Sequence, residues 1–244
     1  MRSPRARHDG GRLVTTGRPT SGRLDRLLAT GVVAVLRAPS AECATATIEA
    51  LVRGGISGVE VTYSTPDAAA VISRVVQEHG DAVVVGAGTV LRPAQAREAA
   101  DAGAEFLVSP GIDPVICAAM AGTGALVVSG ALTPTEVMLA RAHDADVVKV
   151  FPASVVGPGY LSALLGPFPG TSFMPTGGVT PDTLSAWFGH GAALVGAGSD
   201  LMPGAAMASG DMAEIERRAS LFRTALDHVS RAGHHRSRRE QQGR

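Results

Sequence analysis

Eight short runs rich in β-branched residues recur along this chain, and their spacing constrains the fold more than any other feature. They lie at 32–36, 59–62, 83–85, 106–109, 126–129, 147–150, 173–175 and 194–196, with starts roughly 20 to 27 residues apart. Between them lie Ala-rich amphipathic stretches such as 42–53, 93–102 and 134–142. Several open on helix-start signals: Ser40, Thr65-Pro66, Arg92-Pro93, Thr133-Pro134 and Thr180-Pro181. Several close on glycine before the next run, at Gly54-Gly55, Gly103, Gly124 and Gly191. Eight such alternations predict an α/β chain folded as a (β/α)8 TIM barrel, with an open doubly wound sheet as the alternative. The barrel domain is expected over 23–230, ending in a helix over 213–229.

Composition supports one large core. The chain of 244 residues is 45% hydrophobic and 18% charged, which excludes wholesale disorder. No apolar run reaches the roughly 18 residues of a membrane span. The formal net charge of zero conceals a segregation. Six arginines lie in 1–23 and five in 231–244, leaving a body of 11 cations and 20 acids. An acidic body with basic ends is not the footprint of a nucleic-acid-binding domain. The ends, 1–22 and 231–244, are expected as disordered basic tails, the alternative being weak contact with a polyanion. Cys43 and Cys117 form no CxxC pair, and no signal peptide is evident, so a reduced, cytoplasmic protein is expected.

Of 22 basic residues, 21 are arginine; the single lysine is Lys149. An amine can shed its proton and act as a nucleophile, whereas a guanidinium cannot, so a retained lysine points to amine chemistry. In the sixth strand, alternation turns Val148 and Val150 outward and Lys149 into the barrel with Val147 and Phe151. In the second strand the same alternation turns Glu60 and Thr62 inward. A carboxylate inside a barrel needs a partner, and Lys149 is the candidate; the alternative is an ion pair without chemistry. Both lie near the strands' C-terminal ends, where barrel enzymes place their catalytic groups.

The seventh and eighth strands end in Pro175-Thr176-Gly177-Gly178 and Gly196-Ala197-Gly198-Ser199. Loops after these two strands form the common phosphate site of such barrels, because glycine lets backbone N–H groups approach the oxygens. Tight turns alone are the competing explanation. Arg37 ends the first strand and supplies a cation for an anionic substrate, or else a surface salt bridge. None of the seven histidines falls at a strand end or in HxxxH or HxH spacing, so no metal site is expected.

Glu60-Val61-Thr62, Gly86-Ala87-Gly88-Thr89-Val90, Ser109-Pro110, Lys149-Val150-Phe151-Pro152, Pro175-Thr176-Gly177-Gly178-Val179 and Gly198-Ser199 together resemble the bacterial 2-keto-3-deoxy-6-phosphogluconate (KDPG) aldolases. That family also holds the 4-hydroxy-2-oxoglutarate (KHG) and 2-keto-3-deoxy-6-phosphogalactonate aldolases. The resemblance runs from about residue 24 to 226. It implies a homotrimeric (β/α)8 barrel and a Schiff-base aldolase of sugar-acid breakdown that uses no metal or other cofactor. The substrate it implies is a phosphorylated 2-keto acid, with no nucleic-acid or membrane partner. By this resemblance Lys149 forms the Schiff base and Glu60 is the acid/base. Thr89, Pro110 and Phe151 line the pyruvate end with Thr176 beside them, while Gly177, Gly178, Gly198 and Ser199 hold the phosphate. Two positions depart from the pattern. Many members carry Arg four residues after the catalytic Glu to bind the substrate carboxylate; here that residue is Ser64, which moves the role to Arg37. Ser129 stands before Gly130 where members usually have Pro. Thr176 matches the gluconate-type enzymes, while Arg37 and Ser199-Asp200-Leu201 also occur in galactonate-type ones. Two rivals of other kinds remain: a phosphate-binding isomerase or epimerase barrel, and a non-catalytic oligomeric scaffold.

Overall fold

The structure, a computed structural model, describes the backbone of residues 21–242 and the side chains of 21–231. Eight parallel strands form one sheet: β1 (Val32–Leu36), β2 (Gly58–Thr62), β3 (Val84–Gly88), β4 (Phe106–Ser109), β5 (Leu126–Ala131), β6 (Val147–Val150), β7 (Phe173–Pro175) and β8 (Val195–Ala197). Their order is β7-β6-β5-β4-β3-β2-β1-β8. The seam between β7 and β8 is spanned by bridges Phe173↔Ala192 and Thr176↔Gly196, which bring the sheet round into a (β/α)8 barrel.

Two strands run two or more residues past their expected ends. β3 continues through Gly86, Ala87 and Gly88, and β5 through Gly130 to Ala131. Glycine reads locally as a turn, but here the tertiary neighbours require it. A Cβ on Gly86 would lie 2.4 Å from the Phe106 carbonyl oxygen, and one on Gly88 would lie 2.0 Å from Glu60 Oε1. The glycines extend the strand where the barrel interior has no room for a side chain.

The helices follow the local signals closely. They are α2 (Ala41–Arg53), α3 (Ala68–His79), α4 (Pro93–Asp101), α5 (Pro114–Ala121), α6 (Pro134–Ala142), α7 (Gly159–Leu165), α8 (Pro181–Gly189) and α9 (Gly204–Ser209), flanked by α1 (Ser21–Ala29) and α10 (Met212–Gln242). Ser40 accepts the Cys43 N–H, and Asp113 accepts those of Val115 and Ile116. Thr133 and Glu136 form a capping box at α6. The Leu132 and Thr133 N–H groups then hold the Glu136 carboxyl below its usual range. Among the described residues no helix is long and apolar enough to cross a membrane.

Apolar side chains pack in two places. Leu36, Val59, Val61, Val148 and Val150 face outward onto helix residues such as Ile48, Leu51, Ile72, Ile215 and Phe222. Val33, Val84, Phe106, Val108, Leu126, Val128, Val147, Met174 and Leu194 fill the barrel interior. Leu27 joins this inner cluster from α1, a helix with no counterpart in the expected architecture. Val33, Val84, Phe106, Leu126, Val147 and Leu194 of this cluster lie at or near the N-terminal ends of their strands, so α1 plugs the bottom of the barrel. Arg26 anchors it through Asp81 and Glu105, and Arg23 donates to the Gly124 carbonyl.

At the other terminus, α10 packs on α2 and α8 and runs to Gln242, well past the expected end at 229. The described backbone is thus helical over most of 231–244, where a disordered tail was expected. The segment lacks proline and is rich in helix formers such as Arg, Glu and Gln, so local propensity carries the helix onward. The expected N-terminal tail lies outside the described residues, except that Ser21 and Gly22 open α1.

Leu27 is fully buried. Leu27→Ala is expected to cost about 2–5 kcal/mol, the range for emptying a buried leucine site. Urea unfolding followed by circular dichroism measures it; a loss below about 1 kcal/mol removes α1 from the core.

Candidate active site

The inward faces of β2 and β6 meet across the barrel. Lys149 Nζ lies 3.3 Å from Glu60 Oε1 and 3.4 Å from Oε2. Both side chains are buried, at 4% and 0% exposure. Removing two charges from water is costly unless they pair, so each group requires the other. The Gly88 backbone leaves the space that the Glu60 carboxylate occupies. Above the pair, the Phe151 ring centre is 5.5 Å from Nζ, and its π-face favours a cation there.

A cavity of about 380 Å³ opens over Lys149 at the C-terminal ends of the strands. Of the residues expected in the site, Arg37, Lys149, Phe151, Thr176, Gly177, Gly178, Gly198 and Ser199 line it. Glu60 does not; it sits against Lys149 with no exposed surface. Thr89 and Pro110, at the ends of β3 and β4, do not line it either. Thr89 has φ +56°, a left-handed conformation that is costly for a β-branched residue. The cavity wall also holds Val35, Val179, Asp200, Met202, Gly204 and Met207. Valine and methionine carry no chemical signature in a sequence. Val179 and Asp200 stood inside the quoted motifs, and strand alternation reaches Val35, two residues before Arg37.

Gly177 and Gly178 have φ values of +101° and +72°, so the turn after β7 takes a conformation that L side chains rarely adopt. After β8, the N–H groups of Leu201 and Met202 both donate to the Gly198 carbonyl and fold that loop back over the cavity.

Arg37 makes no ion pair among the described residues. Its Nη1 donates to Ser64 Oγ at 3.0 Å. Ser64 Oγ lies 2.7 Å from Thr62 Oγ1, which donates to the Leu36 carbonyl at 2.8 Å. The Thr62 proton is committed to Leu36, so Ser64 must be the donor in the middle link. The result is a directed chain, Arg37 to Ser64 to Thr62 to Leu36, that ends one residue from its start. It fixes the guanidinium at the cavity wall and gives the Ser64 departure a structural role. Among the described residues no group of three or more His, Cys, Asp or Glu side chains could hold a metal ion.

A closed parallel barrel with a paired amine and carboxylate at the floor of its catalytic-end cavity is the architecture of an aldolase, a carbon–carbon lyase. Residues 24–218 match the family model described as KDPG and KHG aldolase. The chain belongs to the KDPG and KHG aldolase family. It is 38% identical over 185 residues to the 2-dehydro-3-deoxy-phosphogluconate aldolase of Treponema pallidum (strain Nichols), covering 75% of this chain and 88% of the relative. It is 35% identical over 171 residues to the 2-dehydro-3-deoxy-6-phosphogalactonate aldolase of Escherichia coli (strain K12), covering 70% and 83%. Among solved structures it resembles the KDPG aldolase from Legionella pneumophila with pyruvate captured as a covalent carbinolamine. That match has a TM-score of 0.74 at 30% identity and covers 81% of this chain and 96% of the other.

The space at Gly88 yields a prediction. An added methyl group meets the Glu60 carboxylate at 2.0 Å and must displace it. Gly88→Ala is expected to lower kcat roughly a hundredfold, as a misplacement of about 1 Å does. Steady-state kinetics on the folded variant checks this; wild-type turnover shows that the carboxylate need not occupy its observed place.

Proposed function

We propose that this chain is a metal-independent, Schiff-base aldolase that cleaves 2-keto-3-deoxy-6-phosphogluconate to pyruvate and glyceraldehyde 3-phosphate, and also accepts 4-hydroxy-2-oxoglutarate. The observation that carries this reading is Lys149 Nζ within 3.3 Å of Glu60, beneath a cavity open at the catalytic end of the barrel. Lys149 gives a proton to the adjacent Glu60 carboxylate and, as the neutral amine, attacks the C2 ketone; Glu60 relays the second amine proton to the new oxygen and then its own to the carbinolamine hydroxyl, which leaves as water to give the iminium. The iminium accepts the electron pair of the C3–C4 bond. Glu60, directly or through a water, takes the C4 hydroxyl proton as that bond breaks, and the aldehyde leaves. The remaining enamine is protonated at C3, and water hydrolyses the iminium to free Lys149 and pyruvate.

The rest of the cavity suits the two anionic ends of such a substrate. Arg37, held by Ser64, takes the carboxylate; Gly177, Gly178, Gly198 and Ser199 take the phosphate through backbone and hydroxyl donors. Phe151 and Thr176 shape the pyruvate end from the cavity wall; Thr89 and Pro110, which do not line the cavity, are assigned to that end by the family resemblance alone. The galactonate-type substrate is the second reading, favoured by Arg37 at the end of β1 and by the similarity to the Escherichia coli galactonate-type relative. A homotrimer fits the exposed apolar side chains Leu91, Val115, Met138, Leu139 and Val155, all on segments that follow the consecutive strands β3 to β6. The unpaired thiols of Cys43 and Cys117 fit a reducing cytoplasm.

Borohydride reduction in the presence of pyruvate is expected to leave one stable adduct on the peptide carrying Lys149, read by mass spectrometry. Lys149→Arg loses both adduct and cleavage while keeping the fold, and Glu60→Gln slows kcat by roughly 10²-fold or more. An adduct elsewhere, or turnover by the arginine variant, contradicts the mechanism.

Arg37→Ala is expected to lower kcat/KM by roughly ten- to a hundredfold, the cost of a charge-assisted hydrogen bond of about 1.5–3 kcal/mol. Arg37→Lys recovers little of this, because an ammonium lacks the forked geometry. If Arg37→Ala retains wild-type kcat/KM, the carboxylate is bound elsewhere.

A further inference from the structure

Asp200 poses a problem for the phosphate end of the site. It lines the same cavity as Gly198 and Ser199, where the proposed substrate places two negative charges. A carboxylate there repels the ligand unless its own charge is offset. Among the described residues one cation pairs with it, and that cation comes from outside the cavity. Arg218, on the first turns of α10, donates from Nη1 to the Asp200 carbonyl at 2.6 Å, and the same nitrogen lies 3.8 Å from Asp200 Oδ1. Its Nε donates to Glu214 Oε1 at 2.7 Å.

Glu214 is itself firmly placed. It receives a two-pronged contact from Arg217, through Nε at 2.7 Å and Nη2 at 2.8 Å, and its own N–H donates to Asp211 Oδ1 at 3.0 Å. Hydrogen bonds from Arg217 and Arg218 hold its carboxyl down to about 2, so it stays ionised through the neutral range. Arg218 is therefore clamped between a fixed carboxylate on its own helix and the peptide of the loop after β8. Its side chain lines an adjoining groove with Thr180, Pro181 and Phe222 and does not line the catalytic cavity; Asp200 stands between the two and lines both.

We propose that Arg218 is a positioning residue for the phosphate end of the substrate: it fixes the Asp200 peptide and offsets the Asp200 carboxylate, so that the loop at 198–199 presents its donors to an anion. This rests on reading that loop as the phosphate site. The pyruvate end, built on Lys149 and Glu60, is independent of it.

The experiment compares two reactions of the full-length protein. One is cleavage of the phosphorylated 2-keto-3-deoxy acid; the other is exchange of pyruvate methyl protons with solvent deuterium, which needs only the Lys149 and Glu60 end. Arg218→Ala is expected to raise KM for the phosphorylated substrate about tenfold with kcat within about twofold, a shift typical of one lost charge-assisted contact. Competitive inhibition by inorganic phosphate weakens in parallel, and pyruvate exchange stays within about twofold. An unchanged KM, or equal losses in cleavage and exchange, overturns the proposal. Glu214→Ala frees Arg218 from its other anchor and is expected to show the same split in smaller degree. It serves as the test where Arg218→Ala does not fold, and an unchanged KM there also overturns the proposal. If inorganic phosphate fails to inhibit the wild-type protein while pyruvate exchange proceeds, the phosphate reading itself fails and takes this proposal with it.

Discussion

The ion pair between Lys149 and Glu60 depends on barrel closure. β2 and β6 are four positions apart in the sheet, a separation of about 19 Å were the sheet flat, yet their side chains meet at 3.3 Å. Only curvature into a barrel brings the two inward faces together. The pair in turn makes demands on its surroundings. Two buried charges tolerate neither a missing partner nor a crowded one, and the Gly88 backbone satisfies the second condition by leaving the carboxylate its space.

The interior is divided along the barrel axis. Leu27, Val33, Val84, Leu126, Val147 and Leu194 close the N-terminal end with apolar packing. The polar groups gather at the other end, where the loops leave a cavity. The plug from α1 packs in an apolar cluster that includes neither Lys149 nor Glu60. α10 likewise packs on α2 and α8, outside the cavity, and its Arg218 donates to the Asp200 carbonyl at the cavity edge.

Each anionic end of the proposed substrate faces a group held by a hydrogen-bond chain. At the carboxylate end, Thr62 and Ser64 orient Arg37 through neutral hydroxyls. At the proposed phosphate end, Arg218 donates both to Glu214 and to the Asp200 carbonyl of the loop after β8. The body of the protein is acidic, with twenty acids to eleven cations over 24–230. An anion reaching this cavity thus meets fixed local donors rather than a general positive field.

The period of β-branched runs determined the barrel, because parallel strands buried on both faces and joined by helices leave that spacing in any chain that forms them. Strand alternation, a local rule, determined that Lys149 and Glu60 face inward, and the scarcity of lysine singled out the amine. The caps at Ser40 and Thr133 were legible for the same reason, since each acts within a few residues. What the sequence left open involves partners far apart in the chain. Gly86 and Gly88 look like a turn until Phe106 and Glu60 fill the space beside them. Ser64 looks like a lost arginine until Arg37, 27 residues earlier, donates to it. Leu27 belongs to no expected helix or strand until the open mouth of the barrel receives it. Local pattern reports which way a side chain points; only closure of the barrel decides what stands opposite, and so which polar groups can be buried together.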